Sequence, residues 1–323
     1  MIKASLHNFS ELLFQSMMKP SSAEAHHIYG LFKQYSYAAL GMLLLVSALT
    51  AYACYKFRKK KDDERKPAQF KGNAKVEALM IGGPFLLLIW FFYQTVKTMK
   101  DVEPGVDKNR QPDVVVTAHQ FWWEVQYPDK NVTTANEVHL PANEKVLIEL
   151  RSADVIHDWW VPELGNKMDM VPGRSNYLWL KIDKPAVYHG LCSEFCGAQH
   201  AWMRLKVIAQ DENNYQNWLT AQAQPAVQTL DSTALKGAAI FQSTTCASCH
   251  AVKGTSAQGQ VGPDLTHVFS RSTLLAGKLS TDQANLFKWI SDPQKIKPGS
   301  KMPDFYFGKD TVNAIVHYLT QLK

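Results

Sequence analysis

Two stretches without a charged side chain decide what this 323-residue chain can become. None lies between Lys33 and Lys56, where Tyr35 to Tyr55 is dominated by Ala, Leu, Val, Tyr and Met. None lies between Glu77 and Lys97, which enclose Leu86-Leu87-Leu88-Ile89-Trp90-Phe91-Phe92. Each run is close to the ~20 residues a helix needs to cross a bilayer. Pro84 and Gly82-Gly83 would break a soluble helix but are tolerated in a spanning one whose neighbours re-satisfy the backbone. A buried core helix is the competing reading of each run, and the strongly basic loop between them favours the membrane. In that loop Arg58, Lys59, Lys60, Lys61, Arg65, Lys66, Lys71 and Lys75 outnumber Asp62, Asp63 and Glu64. Positive loops stay cytoplasmic, so the N-terminal tail and everything beyond Lys97 are expected outside. The tail, Met1 to Phe32, lacks the basic start, apolar core and small-residue cleavage site of a signal peptide.

The net charge of +6 conceals an alternation. Residues 1–100 carry 14 basic and 6 acidic side chains (+8), residues 101–229 carry 11 and 17 (−6), and residues 230–323 carry 10 and 6 (+4). The basic residues of the last segment form no cluster, which argues against nucleic acid as a partner. Two outer domains of opposite sign are expected to attract one another, an attraction that salt weakens. Of five cysteines, four fall in two short signatures, and Cys54 stands alone in the first apolar run. There a small buried apolar role is favoured over a lipid anchor.

From Asp113 to Gln210 the pattern is strand-like. Val114-Val115-Val116-Thr117, Lys145-Val146-Leu147-Ile148-Glu149-Leu150, Tyr177-Leu178-Trp179-Leu180 and Leu205-Lys206-Val207-Ile208 are separated by Pro, Asn, Asp and Gly clusters. Short strands at this spacing argue for a β-sandwich or barrel. A polar Gln/Ala-rich stretch follows, read as a short helix and a linker. Beyond Asp231 the signals are helical: Thr281-Asp282 opens a run with Leu286, Trp289 and Ile290 on one face, and Asp310-Thr311 opens another with Ile315, Tyr318, Leu319 and Leu322. The expected organisation is a tail over 1–32, a helical hairpin over 33–100, a β domain over 101–212, a linker over 213–230 and a helical domain over 231–323.

Cys246-Ala247-Ser248-Cys249-His250 is the run that attaches a c-type haem: two thiols can form thioethers while the adjacent imidazole reaches the iron. Zinc and redox CxxC motifs are the competing readings. Met302, in Gly299-Ser300-Lys301-Met302-Pro303, is the only methionine after Met203 and the expected sixth ligand; His267 and His317 are rivals. His/Met ligation fills both axial positions and raises the potential, which suits electron transfer. The segment resembles a class I cytochrome c over its whole length, with Gly237-x-x-x-Phe241 before the motif and Gly262-Pro263-Asp264-Leu265 after it. The resemblance implies that the Pro263 carbonyl accepts from His250 and orients it from behind.

The other signature, Cys192-x-x-x-Cys196-x-x-x-His200-x-x-Met203, needs a fourth strong ligand, for which His157 is the candidate by context. The residues alone admit a Cys192–Cys196 disulfide, a Cys2His2 zinc site, or copper, which also gives Met203 a role as a weak thioether ligand. With Ser193, Glu194, Phe195 and Gly197 in place, the loop resembles the binuclear CuA loop of cytochrome c oxidase subunit II. That resemblance implies an α+β multidomain chain: a two-helix transmembrane hairpin, a cupredoxin-like β-barrel and an all-α class I cytochrome c domain. It implies bridging thiolates from Cys192 and Cys196, terminal ligands His157 and His200, a weak Met203, the Glu194 backbone carbonyl on copper, and the Glu194 carboxylate facing a Mg2+ shared with subunit I.

Further matches extend it. Asn166-Lys167-Met168-Asp169-x-x-Pro172-Gly173-Arg174 resembles the segment at the subunit I interface, Glu77 the glutamate at a proton-channel entrance, and His119-Gln120-Phe121-Trp122-Trp123 the aromatic segment that receives electrons. Phe121 stands where many relatives carry tryptophan. Glu77 is weighed against an interfacial carboxylate without a role, and Trp122 and Trp123 against plain core residues. The implied partners are subunits I and III and an external donor, either a cytochrome c or an upstream quinol-oxidising complex. The implied location is a bacterial inner (plasma) membrane, with both metal domains on the periplasmic side. A copper-containing nitric oxide reductase is the alternative assembly. A quinol oxidase is disfavoured because its subunits lose the copper ligands, and a structural subunit with vestigial sites because both ligand sets are complete.

Overall fold

The computed structural model describes residues 17–58, 72–103, 105, 110–226 and 231–323. Most of the basic loop, including Lys59 to Lys61, Arg65, Lys66 and Lys71, lies outside the described residues, as do residues 227–230 of the expected linker. The chain forms two compact units, one of residues 26–105 and one that joins the remainder.

The smaller unit holds two long helices, α1 (Ala23–Lys56) and α2 (Ala74–Val102), both long and apolar enough to cross a membrane. Helix α1 starts ten residues before the expected start of the hairpin at residue 33, so the polar residues ahead of Lys33 lie within its opening turns. Asn73 caps α2 by accepting from the Lys75 and Val76 amides, and Pro84 lies inside that helix. The two pack through Tyr35 stacked on Phe91 at 4.0 Å, a Tyr35–Thr95 hydroxyl bond of 2.8 Å and a Gln34–Gln94 bond. Their remaining apolar surface is open: Leu43, Leu44, Leu79, Ile81 and Phe92 are all exposed. An apolar face of this extent belongs against lipid or another spanning helix. Cys54 is also exposed, not buried as the sequence suggested, because it projects from the same uncovered surface.

The β domain places two five-stranded sheets face to face. In chain order the strands are β1 (Val114–His119), β2 (Trp122–Tyr127), β3 (Val132–Ala135), β4 (Glu137–Pro141), β5 (Lys145–Ser152), β6 (His157–Trp160), β7 (Met168–Met170), β8 (Asn176–Lys181), β9 (Ala186–Cys192) and β10 (Arg204–Gln210). One sheet runs β3-β2-β1-β5-β8 and the other β4-β10-β9-β6-β7, with parallel pairs β1–β5 and β4–β10. Alternation sets the core: Leu205, Val207 and Ala209 of β10 face inward, as do Tyr188 and Cys192 of β9. This is a cupredoxin-like fold. Ser22 ahead of the first span bridges to Ile182, and its hydroxyl donates to the Leu164 carbonyl at 2.7 Å. Helix α3 (Glu212–Gln222), which falls in the expected linker, buries Tyr215 and Leu219 in the β-domain core and stacks Trp218 on His139 at 3.8 Å.

The last domain is helical: α4 (Ser232–Ser243), α5 (Cys246–Cys249), α6 (Gln283–Ser291), α7 (Pro293–Ile296) and α8 (Lys309–Thr320). Asp282 caps α6 by accepting from the Asn285 amide at 2.7 Å. Helix α8 opens at Lys309 behind Gly308, a residue earlier than the Asp310-Thr311 signal, so Asp310 sits in the first turn rather than at a cap. A Cβ at Gly237 would run into the Ala314 carbonyl and lie 2.9 Å from the Tyr318 Cβ. Only glycine lets α4 and α8 approach this closely. Gly237→Ala is expected to destabilise the haem domain by about 1–3 kcal/mol, the usual cost of overpacking, read as a lowered denaturation midpoint of its helical signal.

Candidate functional site

The copper-type loop is the connection between β9 and β10. Cys192 ends β9 and Met203 precedes β10, and the Cys192 amide donates to the Met203 carbonyl at 2.9 Å. Strand parity turns both side chains inward, leaving Cys192 1 % and Met203 0 % exposed. His157 begins β6, whose Trp159 pairs with Cys192, and is itself fully buried. His200 opens a turn of 3-10 helix over His200–Trp202.

The donor atoms converge. Cys192 Sγ lies 3.9 Å from Cys196 Sγ and 3.9 Å from His157 Nδ1. Cys196 Sγ lies 3.7 Å from His200 Nδ1 and 3.8 Å from Met203 Sδ, and the Glu194 carbonyl is 3.2 Å from Cys192 Sγ. Two donors each ~2.0–2.3 Å from one ion stand less than ~4.6 Å apart, so every one of these pairs can share a metal. Both cysteines are free thiols and no disulfide joins them.

Their electrostatics ask for a cation. A hydrogen bond from Cys196, opposed by burial and aided by His157, lowers Cys192 to about 3. The same hydrogen bond, with burial and the Cys192 charge, drives Cys196 far up. The pair thus favours a thiolate on Cys192 over one on Cys196, and a bound metal, which requires deprotonated sulfur, would stabilise both. Two thiolates, two imidazoles and a thioether form the soft donor set that suits copper.

Asp154 stands behind His157, its Oδ1 accepting from His157 Nε2 at 2.8 Å. This fixes the proton on Nε2 and leaves Nδ1 to face the sulfurs. Asp154 also accepts from the Gln120 and Val155 amides. Burial would raise its pKa, but His157 and these two amides hold it well below the usual carboxylate range. Asp154→Asn is expected to weaken copper binding by about 10–100-fold, measured by titration against a competing chelator.

In the helical domain, Cys246, Cys249, His250 and Met302 line one open cavity. His250 Nδ1 donates to the Pro263 carbonyl at 2.7 Å, which frees Nε2 for iron. Burial lowers its pKa and keeps the ring neutral, the ligating form. A Cβ on Gly262 would sit 2.5 Å from His250 Cε1, so the backbone itself braces the ring. Neither rival sixth ligand lines this cavity: His267 donates to the Gln224 carbonyl, and His317 pairs with Asp231. Arg271 is buried beside the cavity with its Nε unpartnered. Its Nη2 already donates to the Asp264 carbonyl, so the orphaned Nε–H is what calls for an acceptor, and a haem propionate would supply one. The residues fit the group.

The two centres share a wall. Gln120, Phe121 and Trp122 line the haem-domain cavity although they belong to the β domain. Gln120 Nε2 donates to the Cys196 carbonyl at 2.6 Å, and the Phe121 ring lies 3.1 Å from the Cβ position of Gly197. Trp122 stacks on His119, while Trp123 is fully buried, 6.4 Å from the His157 ring. The Glu194 side chain is exposed and Phe195 beside it is 76 % exposed. Glu77 lies in the first turn of α2, in the other unit.

Sequence reasoning assigned no role to Asp154, Gln120, Arg271 or Lys297. Asp154 left a signal, a carboxylate three residues before a candidate ligand. Lys297, 3 % exposed, left none; burial and Lys278 pull it down to about 7, while three carbonyl acceptors favour its charged form.

Fold and donors together define a redox protein with two apolar spanning helices, a copper-type centre and a covalent-haem centre. The family description "Cytochrome C oxidase subunit II, periplasmic domain" matches residues 130–210, and "Cytochrome c" matches residues 234–323. Cytochrome c oxidase subunit 2 of Alkalihalophilus pseudofirmus is 34 % identical over 304 residues, covering 90 % of this chain and 88 % of that one. The Bacillus sp. protein of the same name is 36 % identical over 287 residues, covering 83 % and 80 %. Among solved structures, the periplasmic domain of subunit II of cytochrome oxidase from Bradyrhizobium japonicum is 28 % identical, covers 35 % of this chain and 95 % of that one, and has a TM-score of 0.34. The chain belongs to the cytochrome c oxidase subunit 2 family, with a cytochrome c domain at its C-terminal end.

Proposed function

We propose that the chain is the electron-input subunit of a respiratory cytochrome c oxidase, in which electrons pass from a covalent haem c to a binuclear copper centre and on to haem in subunit I, where O2 is reduced and protons are moved. When bound, the two groups supply one-electron redox chemistry; the protein holds, orients and screens them. The observation that carries the reading is the shared wall: Gln120 and Phe121 touch the copper loop on one side and line the haem cavity on the other.

Each residue then has a task. Cys246, Cys249, His250 and Met302 hold the haem, with Pro263 fixing the His250 ring. His157, Cys192, Cys196, His200 and Met203 hold the copper pair together with the Glu194 carbonyl, and Asp154 fixes the His157 ring. Burial of both cysteines and of His157 keeps water from the copper site and limits reorganisation. Phe121 and Trp122 occupy the path between the centres. Trp123 packs inside against His157 and has a structural role. The exposed Glu194 and Phe195 face subunit I, where the Glu194 carboxylate reaches a shared Mg2+. Glu77 serves the entrance of a proton channel. Subunit III completes the complex, and a cytochrome c or an upstream quinol-oxidising complex feeds it. The complex sits in a bacterial plasma membrane with both metal domains on the periplasmic side.

Optical and electron paramagnetic resonance spectra of the purified protein test this directly. The expected result is a low-spin c-type haem together with the seven-line signal of one unpaired electron shared by two coppers. A single redox-silent ion at Cys192 and Cys196, or a disulfide between them, overturns it.

A further inference from the structure

A five-residue strip of the haem domain, 297–301, lies along the copper loop, and it leads directly to Met302. Lys297 Nζ donates to the carbonyls of Phe121 at 2.8 Å and Trp202 at 3.1 Å in the β domain, and of Leu275 at 3.0 Å in its own domain. Three carbonyls take up all three N–H donors of an ammonium. Gln199 Nε2 donates to the Pro298 carbonyl at 2.8 Å, and the Cβ position of Gly299 lies 3.3 Å from the Ala198 Cβ. Lys301 Nζ pairs with Asp154 Oδ2 at 3.2 Å, the same carboxylate that holds His157. A second haem-domain segment adds to the seam, with the Ala276 carbonyl accepting from the Arg204 amide at 3.1 Å.

We propose that Lys297 is a positioning residue, a buried pin that locks the cytochrome domain onto the copper domain in one electron-transfer pose. The proposal rests on the electron path given above and says how that path is kept in register. It differs from the expectation drawn from domain charges. An encounter between a +4 and a −6 domain is steered by exposed charge and loosens in salt. The seam is instead built on backbone carbonyls, on a lysine out of reach of counterions, and on the buried Glu137 carboxylate, which accepts from the uncharged Ser272 amide at 2.8 Å. Lys301–Asp154 is its ion pair. Trp202 precedes the ligand Met203, Phe121 abuts Gly197 beside the ligand Cys196, and Met302 follows the strip by one residue. A pin at this point fixes the separation of both ligand sets at once.

The test uses the whole oxidase with both centres loaded. Internal electron transfer from photoreduced haem c to copper is timed in low salt and at about 1 M salt, where the Debye length is only ~3 Å. The unaltered protein is expected to change by less than about twofold. Lys297→Met keeps the stem but loses the three donors; it is expected to slow transfer about tenfold or more, as small misplacements do. It should also speed amide hydrogen exchange in the segments around Phe121, Trp202 and Leu275 together, while the copper and haem spectra stay unchanged. Lys297→Arg, which keeps the charge and the donors, should recover part of the rate. Salt-sensitive transfer in the unaltered protein overturns the pin, and so does Lys297→Met with normal rate and exchange. If Lys297→Met does not assemble, the salt response of the unaltered protein decides alone. Intact spectra with no internal transfer at all would defeat the electron path itself, a separate outcome.

Discussion

Replacing Cys196 by serine should strip the copper from the protein and cut oxidase turnover by more than ~100-fold, with haem c still attached and reducible. Loss of a residue that merely orients a metal-bound histidine already costs about 10–100-fold, so loss of a ligand atom exceeds that. Cys196 Sγ is the hub of the donor set, within 3.9 Å of Cys192 Sγ, His200 Nδ1 and Met203 Sδ. A serine hydroxyl is smaller, harder and not ionised near neutral pH, so it can neither bridge two coppers nor balance their charge. Serine fits the volume of the site. The readouts are copper per chain, the optical spectrum of haem c, and the steady-state reduction of that haem under a chemical donor. Electrons that can enter but not leave should hold haem c almost fully reduced during attempted turnover. A variant that keeps two coppers and oxidises its haem at the normal rate would show that Cys196 is not a ligand.

The parts of this protein that the sequence made legible are local in the chain. A charge-free run of about twenty residues announces a span whatever the rest of the fold does. Cys246-x-x-Cys249-His250 brings thiols and imidazole together within one turn of helix α5 and its cap. Cys192, Cys196, His200 and Met203 fit on a single hairpin loop. The contacts that order these sites are not local. Asp154 reaches His157 across three residues, but its bond to Lys301 spans 147 positions. Lys297 meets the Phe121 carbonyl 176 positions away. A lysine in a polar stretch reads as solvated, and only the docking of two finished domains turns it into a buried one. The same holds for helix α3: its polar composition suggested a short helix and a linker, and only the folded β domain shows Trp218 packed on His139 and Tyr127. The Lys301–Asp154 pair fits the expected attraction between segments of opposite charge, whereas segment charges say nothing of the carbonyls that Lys297 reaches or of the Glu137 carboxylate that accepts from Ser272.

Met302→Ala should lower the haem c potential by ~0.1–0.2 V, a fraction of the ~0.8 V that axial ligands span. Methionine opposite histidine raises the potential because the thioether favours the reduced iron. Removing it leaves water or nothing in its place. The argument for Met302 is positional: it lines the same cavity as His250, and its loop is held by Gln294, whose amide donates to the Met302 carbonyl at 2.7 Å. His267 and His317 are committed elsewhere, to the Gln224 carbonyl and to Asp231. For a one-electron couple each 59 mV is a factor of ten, so a drop of ~0.2 V lowers the reduced fraction of haem c about 10^3-fold at a fixed donor potential. Turnover should therefore collapse at the uptake step, although the copper signal is untouched. Carbon monoxide should bind the reduced haem of the variant and not that of the unaltered protein. His267→Ala and His317→Ala should leave both potential and carbon monoxide exclusion as they were. An unchanged potential in Met302→Ala, with a closed sixth position, would move the ligand to another residue and remove the link between the axial methionine and the strip docked on the copper loop.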